Sequence, residues 1–191
     1  MPRLLTTPAR RAAGVVLAIA AIAVLVACSG DAGRAPAGQR APRGMTLTST
    51  AFGANQPVPE RYSCEGDNLP PPLRWTGTPA GTVELALVVE DPDAPDGTFV
   101  HWIVVGIDPA TTSVGPATAL PGARVLRGSS DNDTYIGPCP PDGDGPHRYV
   151  FQVYALPERL QVPEGAAPLE AVRVIRQAAN AGGSLVGIFE R

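Results

Sequence analysis

Proline and glycine interrupt this chain so often that few stretches can run far as one regular element: of 191 residues, 22 are proline and 21 glycine. Proline removes a backbone donor and fixes φ, glycine loses more entropy than any other residue on ordering, and both therefore collect in turns. Between the interruptions lie short apolar runs rich in Val and Ile, at Val83–Val89, Trp102–Ile107 and Tyr149–Leu156, each of which predicts a strand. Only one segment has helical spacing. Leu169, Val172, Ile175 and Ala179 would share a face, with Gly182-Gly183 as a stop and a last strand from Ser184 to Phe189. The expected fold class is mainly β with one helix near the C-terminus.

The N-terminal end reads differently. Arg3, Arg10 and Arg11 precede an apolar run from Ala12 to Ala27, the layout of an export signal. A spanning helix needs about 20 apolar residues, and polar sequence begins at Ser29, so cleavage fits better than permanent spanning. Leu25-Val26-Ala27-Cys28 resembles the bacterial lipobox, in which small residues admit the peptidase and a thiol accepts the lipid. The expectation is a signal peptide over 1–27, lipid on Cys28 and attachment to the membrane on the outer side. A plain secretory signal with a chance cysteine is the alternative, and Arg10-Arg11 alone is a weak twin-arginine signal. Residues 28–44 are mostly Gly, Ala, Pro, Arg and Gln, too poor in large apolar groups to pack, and predict a tether. Residues 45–191 remain for one ordinary domain.

All fifteen basic residues are arginine, but they are scattered, and removing Arg3, Arg10 and Arg11 takes the formal charge from −3 to −6. That balance argues against a nucleic-acid surface and leaves room only for a local anion site. With Cys28 lipidated, Cys64 and Cys139 remain in an oxidising compartment, where a bridge is the favoured reading and two buried thiols the alternative. A bridge would close a loop of about 75 residues, worth roughly 4 kcal/mol by chain entropy.

Polar residues concentrate at predicted strand ends. Val88-Val89-Glu90-Asp91-Pro92-Asp93-Ala94-Pro95 runs a strand into an acidic turn; Phe99-Val100-His101-Trp102 and His147-Arg148-Tyr149 place the chain's two histidines at strand openings. Tyr135-Ile136-Gly137-Pro138-Cys139-Pro140-Pro141 leads through a Gly and Asp loop to the second.

These motifs, with Cys64-Glu65-Gly66-Asp67-Asn68, Pro71-Pro72-Leu73 and Trp75, resemble the phosphatidylethanolamine-binding proteins, in particular the bacterial Raf kinase inhibitor-like branch, over essentially 45–191. The resemblance implies a β-sandwich of a large and a small sheet and a non-enzymatic binding module without a cofactor. It implies an anion pocket lined by Asp91, His101, His147 and Tyr149, its wall shaped by Gly137, Pro140 and Pro141. Imidazoles and a phenol suit phosphate oxygens, and a carboxylate can orient a histidine or meet an ammonium group, so the expected partner is a small anion or phospholipid head group. The family also includes inhibitors of proteases and kinases, so a protein partner is the second reading. Family members often have Asp at Glu65 and Ser at Pro70, and a small residue at Cys139, so Glu65 and Pro70 receive no role. Asp91, His101 and His147 also have the make-up of a two-histidine, one-carboxylate metal site, the third reading. A serine hydrolase using Ser129 or Ser130 lacks a nucleophile elbow. Trp75 and Trp102 are expected in the core.

Overall fold

The computed structural model describes residues 44–191. The expected signal, lipidation site at Cys28 and tether, Gly44 apart, lie outside the described residues.

Among the described residues, nine strands form two sheets. The small one has the order β1 (Thr46–Ser49), β3 (Leu73–Thr76), β6 (Ser113–Val114). The large one runs β2 (Gln56–Pro57), β9 (Ala181–Phe189), β8 (His147–Leu156), β4 (Glu84–Asp91), β5 (Phe99–Ile107), β7 (Arg124–Leu126). All pairings are antiparallel except β2 with β9. The three internal strands named from sequence are present and each starts earlier or ends later than its apolar run, because polar residues such as Asp91, His101 and His147 belong to the ladders.

β4 is buried along its whole length because both faces of the large sheet are covered. Leu85, Leu87 and Val89 face the small sheet and join Leu47, Leu73, Trp75, Trp102 and Phe151 in the inter-sheet core. Ala86 and Val88 face the other way and join Ile103, Tyr154, Ala171, Val172 and Ile175 beneath α1 (Pro168–Ala178). Trp75 is fully buried and its indole N–H donates to the Thr111 carbonyl at 2.9 Å, and Trp102 lies in the same core, as expected.

Two details of the helix reading need correction. The buried residues of α1 are Ala171, Val172 and Ile175, while Leu169, in the first turn, is 51% exposed. Gly182 and Gly183 do not stop the helix. They lie in β9, where the Met45 N–H donates to the Gly182 carbonyl and a Cβ on Gly183 would stand 2.7 Å from the Met45 oxygen. Their smallness serves a close passage of backbone over the strand.

Candidate functional site

β4, β5 and β8 end together, and their polar residues meet there. A register shift brings His101 in. Val89 pairs with Trp102 and Glu90 with Val100, so one step along β4 corresponds to two along β5, and His101 is the extra residue. Such a β-bulge re-aims a side chain next to the paired ladder. The His101 ring then stacks edge-on against Tyr149, with centroids 5.2 Å apart, and packs on Phe99 at 4.7 Å.

His101 Nδ1 lies 2.9 Å from the Ile136 carbonyl. A carbonyl only accepts, so Nδ1 carries the proton and Nε2 is the ring's acceptor. Burial lowers the pKa of His101, against the pull of the Ile136 carbonyl and the Asp91 charge, so the ring is held neutral.

His147 opens β8 in the opposite state. Its Nδ1 donates to Asp91 Oδ2 at 2.7 Å and its Nε2 faces Asp144 Oδ2 at 3.2 Å. Two carboxylates, one on each nitrogen, are both satisfied only by the doubly protonated ring. Desolvation works against that charge, but the hydrogen bond and charge of Asp91, joined by those of Asp144, outweigh it and raise the pKa of His147. One neutral and one cationic imidazole thus stand side by side.

Tyr149 follows two residues later and is fully buried, yet its hydroxyl has no hydrogen-bond partner of good geometry. Burial, and then the charge and a loosely aligned hydrogen bond of Asp91, push its pKa above the usual phenol range, so it stays an O–H donor. A buried donor whose nearest acceptor, the Asp91 carboxylate, is poorly aligned can still take a better-placed one.

The acidic turn after β4 is locked in place. Asp91 Oδ1 accepts the Asp93 N–H at 2.8 Å. The Arg148 guanidinium donates twice to Asp93, at 2.7 and 2.6 Å, and the Arg148 backbone N–H adds a third bond at 2.9 Å. The hydrogen bonds from Arg148 outweigh partial burial and hold the Asp93 carboxyl below its usual value.

Opposite lies the 137–144 loop. Cys64 and Cys139 are disulfide-bonded, with Cα atoms 5.5 Å apart. The Gly137 N–H donates to Asn68 Oδ1 at 2.7 Å, and a Cβ on Gly137 would stand 2.9 Å from that oxygen and overlap the Tyr62 carbonyl. Pro140 is buried and its carbonyl accepts from Arg191 Nε at 2.7 Å; Pro141 is exposed and its carbonyl accepts the Asp144 N–H at 3.2 Å. Asp91, His101, His147 and Tyr149 are therefore brought together, while Gly137, Pro140 and Pro141 shape the loop beside them.

Sequence reasoning passed over Asp144 and Arg191 and quoted Asn68 only within a family motif, with no role. Asp144 sits three residues before His147 in a loop, where spacing says nothing about facing. Asn68 had one signal, its type, since Asn tolerates the left-handed conformation it adopts here with φ 54°.

In this conformation the four central residues are packed, none more than 4% exposed. Larger hollows lie elsewhere. One of about 550 Å³ is lined by Arg124, Arg127 and Glu164, and one of about 280 Å³ by Trp102, Val104 and Leu120. Among the described residues no three His, Cys, Asp or Glu side chains are grouped to hold a metal ion. Ser129, weighed as a nucleophile, accepts the Val100 N–H at 2.9 Å.

The structure is a sandwich of unequal sheets with a polar cluster of two histidines, an aspartate and a tyrosine at one strand end. Comparison with known proteins names the class: the phosphatidylethanolamine-binding protein family matches residues 48–190, and the chain belongs to it. A relative named as a lipoprotein, LppC of Mycobacterium tuberculosis, is 46% identical over 146 residues, covering 76% of this chain and 72% of the relative. Two crystal structures share the fold. YbcL of Escherichia coli matches with a TM-score of 0.72 and 28% identity, and the family homologue CT736 of Chlamydia trachomatis with 0.70 and 34%; each match covers 78% of this chain and 99% of the other.

Proposed function

We propose that this protein is a non-enzymatic module of the cell envelope that binds a small phosphate-bearing anion, a free phosphate or a phospholipid head group, at Asp91, His101, His147 and Tyr149. One observation carries the reading: the fully buried Tyr149 hydroxyl has no well-aligned acceptor and stands near a histidine paired with Asp91. A phosphate oxygen supplies that acceptor and meets the imidazolium charge. Asp91 orients His147, and the neutral His101 offers Nε2 to a hydroxyl or ammonium group. Gly137, Pro140 and Pro141 form the adjoining wall, stiffened by the Cys64–Cys139 bridge. Affinity is modest, because no arginine fork points at the cluster. The envelope location follows from the lipobox-like Leu25-Val26-Ala27-Cys28, with residues 1–27 as signal and 28–44 as tether, and agrees with the relative's lipoprotein name.

Calorimetry with phosphate and phosphoethanolamine on the 44–191 domain, beside His101→Ala and His147→Ala variants, tests the pocket: binding by the parent and not by the variants is expected. Equal heats from all three proteins would sink the reading. Cys28→Ser should release the full chain into the medium; retention in the membrane fraction would refute the anchor.

A further inference from the structure

Asp144 is the side chain on the loop that bonds to His147, and it does so where a ligand would. Its carboxylate takes the Nε2 bond of His147, the nitrogen left over after Asp91 has taken Nδ1. The residue itself is exposed, its side chain 46% so, whereas the histidine it covers is buried. Its loop is held from one side: Arg191 Nε contacts both the Pro140 carbonyl and Asp142 Oδ1, the latter at 3.1 Å, and the Gly143 N–H donates to the Arg191 carbonyl. On either side of Asp144 stand Gly143 and Gly145, with φ of 79° and 88° and nothing within 4 Å of the position a Cβ would take. The tip is thus unpacked, and Asp144 can leave His147 without disturbing the core.

Resting on the anion-binding reading, we infer that Asp144 is a specificity-determining residue: its carboxylate stands in for a ligand on His147 Nε2, so that an entering phosphate must displace it. A bare phosphate gives the displaced carboxylate nothing and approaches a second negative charge. A phosphate ester that carries its own ammonium group meets that carboxylate with a cation. The loop therefore biases the site against simple dianions and toward zwitterionic phosphate esters, of which phosphoethanolamine is the smallest probe. The bias needs no change in the residues that hold the phosphate itself.

The test is calorimetry on the domain, titrating inorganic phosphate and phosphoethanolamine separately into the parent, Asp144→Asn and Asp142→Asn. Asp144→Asn should tighten phosphate about fivefold, the worth of a partly exposed charge contact, and leave phosphoethanolamine unchanged or weaker. Asp142→Asn removes the same charge two residues away without touching His147 and should leave the ratio of the two affinities as it is. The inference is overturned, and the anion-binding reading kept, if the parent binds and His147→Gln or His101→Gln does not, yet Asp144→Asn shifts both ligands equally or neither. If neither ligand binds the parent or Asp144→Asn, both fall. Ring ¹⁵N spectra of His147 give a second measure: the Nε2 resonance should move in Asp144→Asn and stay in Asp142→Asn, and an unmoved resonance in Asp144→Asn counts against the contact.

Discussion

Asp91 and His147 form a buried ion pair, Oδ2 to Nδ1 at 2.7 Å, that joins the end of β4 to the start of β8. Removing Asp91 leaves the buried His147 Nδ1 without its acceptor and with only Asp144 to hold its charge. Asp91→Ala should therefore cost about 3 kcal/mol in urea unfolding. Asp91→Asn keeps an acceptor on Nδ1 and should cost less. An equal loss for both would mean that the charge, and not a neutral acceptor, is what Asp91 contributes.

The two histidines should titrate in opposite directions from the ordinary 6.5, and with only two in the chain their resonances are easily assigned. His147 is raised, so its contribution to stability is fully present below 6.5 and lost as pH rises through its higher folded pKa. His101 is lowered, so the unfolded chain protonates first, and stability is lost as pH falls below 6.5 toward the folded value. NMR titration should give one curve on each side of 6.5, and His101→Gln should remove the acid-side loss while leaving the alkaline-side one.

Reduction of Cys64–Cys139, or replacement of both by Ser, should lower stability by roughly 4 kcal/mol at most, the loop-closure value, with native relaxation reducing it. Gly137→Ala forces overlap with the Tyr62 carbonyl and should cost about 2 kcal/mol even with the bridge intact. Both changes act on the same junction between the 62–68 and 137–141 segments. Combining them should thus fall short of the sum, which a double-mutant cycle measures.

Much of this was legible in the residues, and the rest was not for definite reasons. Val83–Val89 announced β4 because a strand buried on both faces reads as an unbroken apolar run. The four candidate-site residues were picked out through the family's motifs rather than through periodicity. The bulge was invisible: nothing in Phe99-Val100-His101-Trp102 says that His101 drops out of register opposite β4. Nor does a loop sequence say that Asp144 turns back onto His147. Leu169 misled because helical spacing marks a face without saying how far the covering sheet extends.

The neighbour of Asp91 supports the fold from behind. Glu90 is 1% exposed and accepts from Arg176 of α1, while Arg176 Nε donates to Tyr154 Oη at 3.1 Å and Gln152 Oε1 accepts at 3.4 Å. Burial raises the pKa of Glu90, and the Arg176 charge and hydrogen bond only partly oppose it. Arg176→Met strands the carboxylate beneath α1 and should cost about 3 kcal/mol at neutral pH. Because a buried acid with a raised pKa binds its proton more tightly folded than unfolded, that loss should shrink as pH falls through the folded value. Glu90→Gln in the same chain should recover part of it at neutral pH. Denaturation midpoints across pH for the single and double variants check this, and a loss from Arg176→Met that is independent of both pH and Glu90 would assign Arg176 to packing alone.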